Sequence, residues 1–170
     1  MPEIIRAETP DDLENVRVLT RAFVRWLLET FPEGRASIQT YYDGLENELA
    51  NLPGEFAPPT GSLLLAYVDG KAVGTVAAHR IAPDVCEMKR MFVRPETQGQ
   101  GIGKALALEL VRRSRAQGYE RMRLDTSRGQ VAAISMYQRL GFREVAPYYT
   151  LPPHLQNVMI FMELDLRANT

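Results

Sequence analysis

VRPETQGQGIGKALALEL, residues 93–110, decides how the chain is read, because an apolar strand end passes through a short turn into glycines and then directly into a helical repeat. A helix that starts this way is an anion site. Its first N–H groups have no partner within the helix, its dipole is positive at that end, and glycines let a phosphate approach the backbone closely. Two familiar phosphate loops fail on required residues. A dinucleotide fingerprint needs G-x-G-x-x-G, but counting from Gly99 and Gly101 the sixth position is Lys104. A Walker loop needs G-x-x-x-x-G-K-[ST], but Gln98 occupies the first glycine position before Gly103 and Lys104, and Ala105 follows.

Outward from this stretch, residues 98–118 form a helix with Ile102, Leu106, Leu110 and Val111 on one face and Gly118 at its end. On its N-terminal side the pattern is β. SLLLAYV, the Asp69-Gly70 turn and KAVGTVAAHRI read as a hairpin with a two-residue primed turn, and a strand over residues 85–93 follows. On its C-terminal side come a strand over 121–125, a helix over 130–140, and strands from about Phe142 and over 157–166. The chain begins with a strand at residues 3–7. Thr9-Pro10-Asp11-Asp12 then starts a helix running to about Thr30, with Leu13, Val16, Leu19, Ala22, Phe23, Trp26 and Leu27 on one stripe. A second helix is expected over 37–52, closed by a Pro/Gly-rich stretch. No internal repeat or linker interrupts this order, so one α/β domain over 1–170 with a mostly antiparallel sheet is expected.

Composition narrows the function. The chain has 170 residues, 45% hydrophobic and 24% charged, with a net charge of -1, which suits one globular domain able to bury about 70% of its unfolded surface. Cys86 is the only cysteine and His79 and His154 the only histidines, so neither a disulfide framework nor a metal centre is expected. The longest apolar runs fall far short of the roughly 18 to 20 residues that span a bilayer, and the N-terminus lacks a signal peptide's basic and apolar regions. The reading is therefore no membrane association and a cytoplasmic location. Charge is polarised: residues 1–60 hold 11 acids and 5 bases, residues 85–128 hold 10 bases and 5 acids. The basic half is suited to an anion, but a pI of 6.2 lacks the excess that nucleic-acid binding uses. The acidic half favours cationic acceptors by steering.

Gln98-Gly99-Gln100-Gly101-Ile102-Gly103 has the form Q-x-x-G-x-G and resembles the acetyl-coenzyme A loop of the GNAT N-acetyltransferase superfamily. CEMKRMFVRPETQGQGIG resembles that family's fourth strand and loop, and QVAAISMYQRLGF resembles its later helix and strand, so the likeness covers residues 62–142. It implies an α/β (α+β) fold with a central, mostly antiparallel mixed sheet of about seven strands and about four flanking helices. Residues 1–60 would shape the acceptor side, 62–142 would form the acetyl-CoA-binding core, and 143–170 would supply C-terminal strands. The implied activity is transfer of an acetyl group from acetyl-CoA to a primary amine of a small molecule or peptide in a ternary complex, without a metal. A GNAT-like domain that binds an acyl-CoA without turnover, as a sensor or interaction module, is the alternative. The family often forms homodimers.

By this resemblance the pyrophosphate would sit on the backbone N–H groups of Gly99, Gln100, Gly101, Ile102, Gly103 and Lys104, with the Lys104 ammonium as an added cation. The pantetheine amides would pair with the strand edge Met91-Phe92-Val93. Simple alternation puts Glu87 and Lys89 beside Met91 and Val93, with Arg90 beside Met88 and Phe92. Gln130 stands where the family commonly has an asparagine that bonds pantetheine. An amine is mostly protonated at neutral pH, so a base must take a proton before nitrogen attacks. Glu87, 11 residues before Gln98, matches the strand glutamate some members use as base. Tyr137 matches the family's acid, whose phenol protonates the departing thiolate. Cys86 has no nearby histidine and reads as a small buried residue. Tyr148, Tyr149 and His154 suit either an acceptor site or packing under a proline-rich turn.

Overall fold

A computed structural model describes residues 1–167; the last three positions of the expected 1–170 span lie outside the described residues. The first strand, β1 (Glu3–Arg6), leads into the long helix α1 (Pro10–Thr30). The helix starts where the sequence implies, because the Thr9 hydroxyl accepts from the Asp12 N–H while the Asp12 carboxylate accepts from the Thr9 N–H. A single 3₁₀ turn, Pro32–Gly34, connects to α2 (Arg35–Tyr41) and α3 (Leu45–Ala50). The helix expected over 37–52 is thus two helices, divided at Gly44, whose φ of +82° no continuing α-helix accommodates.

The hairpin β2 (Ser62–Val68) and β3 (Lys71–Ala82) turns through Asp69 and Gly70, both at positive φ, as a primed turn requires. Then follow β4 (Val85–Val93), α4 (Ile102–Ala116), β5 (Arg121–Ser127), α5 (Val131–Arg139), β6 (Arg143–Val145), α6 (Pro153–Gln156) and β7 (Met159–Asp165). Seven strands among the described residues form one sheet in the order β1-β2-β3-β4-β5-β7-β6, antiparallel except for β4 and β5. Among the described residues six α-helices accompany it rather than about four, because α2 and α3 are separate and α6 lies in a segment with no periodic pattern to announce it.

Helices cover both faces of the sheet. Leu64, Ala66, Val76 and Met122 pack with Leu106 and Leu110 of α4, while Leu63, Leu65 and Ala77 pack with Val16, Leu19 and Phe23 of α1. The continuous apolar run of β2 follows directly, since alternate residues enter two different cores.

Strand β4 departs from simple alternation. Ala77 pairs with Lys89 but Thr75 pairs with Phe92, so two steps on β3 face three on β4, and the extra residue is a β-bulge at Arg90, whose φ is +59°. Beyond the bulge the faces exchange. Phe92, not Val93, continues the face of Glu87 and Lys89 and packs in the α1 core, whereas Val93 joins Cys86 and Met88 against α4. The alternation expected for 87–93 is corrected by this one residue.

Candidate active site

The glycine loop takes its shape from three local devices. Gln98 donates through Nε2 to the Val93 carbonyl at 3.0 Å, tying the loop to the end of β4. Gly99 and Gly101 have φ of +80° and +79°, a region that β-carbon-bearing residues rarely enter, and a Cβ at either would meet nothing within 4 Å. The space above them is therefore open to a ligand. Gly101 caps α4 without a side chain to bond the first-turn N–H groups of Ile102, Gly103 and Lys104. Ile102 buries its side chain in the α4 core, so only its backbone faces outward, while Lys104 is exposed. At Gly103 a Cβ would lie 3.3 Å from the Met136 sulfur, which is why α4 and α5 meet closely there.

Between β4 and β5 the sheet opens, and no residue of 98–104 is among those lining the opening. β4 and β5 pair only from Val85↔Arg121 to Glu87↔Arg123, and beyond that their residues line a cavity of about 350 Å³. The bulge that parts them is braced: the Arg90 guanidinium donates twice to Glu48 at 2.9 Å and lies 5.1 Å from the centre of the Tyr42 ring. Met91, Gln130 and Tyr137 line the cavity together, although they are far apart in sequence. Phe92 and Val93 do not; Phe92 is stacked on Phe23 in the core. Tyr137 is 5% exposed, and among the described residues nothing bonds its hydroxyl. Burial pushes its phenol well above the usual range, with Asp125 and Tyr42 adding to the effect, so it is protonated at neutral pH.

Glu87 lies on the same sheet but faces a second cavity, of about 540 Å³, which Tyr137 does not reach. Its carboxylate is 5% exposed for the residue as a whole and fully engaged. One oxygen faces His79 Nε2 at 2.9 Å and Lys89 Nζ at 3.6 Å, and the other accepts from the Tyr148 hydroxyl at 2.5 Å. Burial works to raise its pKa, but the His79 bond, the Lys89 charge and the Tyr148 bond together hold it below the ordinary carboxylate value, so it is ionised at neutral pH. The second nitrogen of His79, Nδ1, lies 3.1 Å from the exposed Glu55. The two side chains expected to act as base and acid therefore do not line one cavity; Tyr41, Lys89, Arg90 and Leu155 form the wall common to both.

Sequence reasoning passed over Asp125. It lies on β5 and lines the cavity that holds Tyr137, where it accepts hydrogen bonds from Tyr41 at 2.5 Å and from Tyr149. One signal was readable: Met122, Leu124 and Thr126 are the buried alternate positions of β5, which sets Arg121, Arg123 and Asp125 on its other face. What that face meets depends on α2 and the 146–152 segment, and neither has a motif. Tyr148 and Tyr149 reach the site, whereas His154 is exposed on α6 and lines neither cavity. Cys86 is buried, and burial pushes its thiol up to about 11, which leaves no thiolate to act as a nucleophile.

The sequence pattern of the Acetyltransferase (GNAT) family matches residues 20–142. An N-acetyltransferase of Schizosaccharomyces pombe, itself uncharacterized, is 33% identical over 165 residues, 96% of this chain and 94% of that protein. The human N-acetylaspartate synthetase is 33% identical over 123 residues, 69% of this chain but 41% of that protein, so the chain spans under half of that longer relative. Among solved structures, a GNAT acetyltransferase from Staphylococcus aureus superposes with a TM-score of 0.72 at 21% identity, covering 98% of this chain and 99% of that one. The PaiA N-acetyltransferase of Thermoplasma acidophilum, crystallised with coenzyme A, gives 0.71 at 24% identity, covering 97% and 99%. These two likenesses carry the fold, and the family match and the yeast relative carry the membership: the chain belongs to the GNAT acetyltransferase family and is an acyltransferase enzyme.

Proposed function

We propose that the protein, acting as one unit over its length, transfers an acetyl group from acetyl-CoA to a primary amine of a small molecule or peptide by direct attack in a ternary complex. The observation that carries this reading is an uncapped, glycine-opened helix start at Gly101, which follows β4, together with a cleft lined by Met91 of β4 and by Tyr137, whose hydroxyl has no partner among the described residues. The residues present fit acetyl-CoA: the N–H groups of residues 99–104 suit the pyrophosphate, Lys104 would add a cation, and Met91 and Gln130 line the cleft that a pantetheine arm would enter. When bound, the thioester supplies an acetyl carbon open to nucleophilic attack. The Tyr137 hydroxyl holds the proton that the departing sulfur requires. Glu87 takes up the proton the amine loses, and does so through water, since its own oxygens are held by His79, Lys89 and Tyr148.

The alternative is an acyl-CoA-binding module without turnover, and the separation of Glu87 and Tyr137 into different cavities favours it. Thiol release from acetyl-CoA with a panel of amines, alongside calorimetric binding of CoA, decides between the two. Release with any amine, slowed in Tyr137→Phe while CoA binding is retained, supports transfer. Binding without release from any amine supports the module. Absence of CoA binding overturns the loop assignment and both readings with it.

A further inference from the structure

The cavity between β4 and β5 has an unusual charge balance. Four charged side chains line it: Glu33, Lys89, Arg90 and Asp125. Arg90 is matched by Glu48 through two bonds of 2.9 Å, and the Lys89 ammonium faces Glu87 at 3.6 Å, so each cation is already answered by a carboxylate that does not line this cavity. Asp125 has no such counterpart. Its oxygens accept from the neutral Tyr41 and Tyr149 hydroxyls, and among the described residues no lysine, arginine or histidine lies within ion-pair distance of it. Burial, with the Glu87 charge, raises its pKa against the lowering effect of those two bonds and of the Lys89 charge, which acts from beyond ion-pair distance. Glu33 adds a second negative group from the turn after α1. Most of the remaining wall is apolar, with Phe23, Leu27, Phe31 and Ile38 coming from α1, α2 and the turn between them, and Phe31 lying against Gly129 just before α5. The volume of about 350 Å³ falls within the range of small-molecule sites, and because Met91, Gln130 and Tyr137 line the same cavity, the pantetheine end would share it and leave room only for a small acceptor.

We infer that the acceptor is a small primary amine bearing an aryl- or alkyl-sized apolar substituent and no carboxylate, its nitrogen held at Asp125 and its substituent lying against Phe31 and Ile38. This rests on the transferase reading above for turnover, though not for binding. An amine supplies the positive charge and N–H donors that Asp125 lacks, and the apolar end gains by leaving water. A carboxylate on the same substrate would meet Asp125 and Glu33, while the two cations among the described lining residues, Lys89 and Arg90, already face Glu87 and Glu48.

The test titrates 2-phenylethylamine, n-hexylamine and L-aspartate calorimetrically into the CoA-loaded protein and follows thiol release from acetyl-CoA with the same amines. The apolar amines are expected to bind at least about tenfold more tightly than L-aspartate, and Asp125→Asn to weaken them by roughly 10- to 100-fold with CoA affinity unchanged. Asparagine keeps an oxygen for the two tyrosine hydroxyls, and thermal unfolding checks that the variant folds. As a second variant, Ile38→Trp narrows the apolar end with Asp125 in place, and should weaken both apolar amines about tenfold. Equal or tighter binding of L-aspartate overturns the inference, as does unchanged affinity for the apolar amines in both variants. If the apolar amines bind through Asp125 but release no thiol, the inference stands and the transferase reading falls. If thiol is released only with amines of another class, the inference falls and the transferase reading stands.

Discussion

Helix α4 is bracketed by two glycines in nearly the same backbone state, which allows the loop's role to be separated from its stability. Gly101 before the helix has φ of +79° and Gly118 after it has φ of +89°, and a Cβ at either meets nothing within 4 Å. Alanine at each position therefore has the same single cost, the left-handed conformation, of about 1–2 kcal/mol, with no steric addition. For a chain of this size that lowers Tm by roughly 2–8 °C in both variants. Their ligand binding should differ. Relaxation at Gly101 turns the first-turn N–H groups away from a bound pyrophosphate, and each charge-assisted bond lost costs about 1.5–3 kcal/mol. Gly101→Ala is thus expected to weaken CoA by roughly 10- to 100-fold, whereas Gly118→Ala leaves it unchanged. Calorimetric titration of CoA and a thermal scan on the two proteins read both quantities. Equal CoA affinity in the two variants would refute the argument that the conformation at Gly101 presents the anion site.

Three further outcomes follow from the same geometry. Tyr137→Phe removes only a hydroxyl that no other described residue bonds, so thiol-release kcat should fall about 10²-fold while Tm holds within about 2 °C. Because the folded-state pKa of Glu87 lies below its unfolded value near 4.5, its carboxylate adds stability above that pH and loses it as pH falls through the folded value. The Tm deficit of Glu87→Gln should accordingly be largest near neutrality and close below pH 4.5, and a deficit independent of pH would contradict the three-partner account. Leu106 is fully buried where α4 crosses the sheet, so Leu106→Ala should lower unfolding free energy by about 2–5 kcal/mol in urea titration.

Local grammar was legible wherever one physical rule acted alone. The Thr9-Asp12 capping box, the Asp69-Gly70 primed turn and the glycines before α4 are each specified by backbone sterics and a nearest-neighbour hydrogen bond, and they occur where the residues imply. The stripe of α1 and the faces of α4 likewise came from helical spacing. The helical pattern over 37–52 did not show that Gly44 divides it outright.

The amino-acid sequence by itself determined the order of the strands, the long helices α1 and α4 and the glycine-opened helix start, because these depend on propensities and periodicities within a few residues. Only the tertiary structure decided which side chains share a cavity. The bulge at Arg90 is held by Glu48 and Tyr42 from a different part of the chain, and its single extra residue exchanges the faces of β4 and separates it from β5. That parting places Asp125 with Tyr137 and leaves Glu87 beneath Tyr148 in another cavity. No local pattern encodes such an outcome, since it depends on contacts between segments more than forty residues apart.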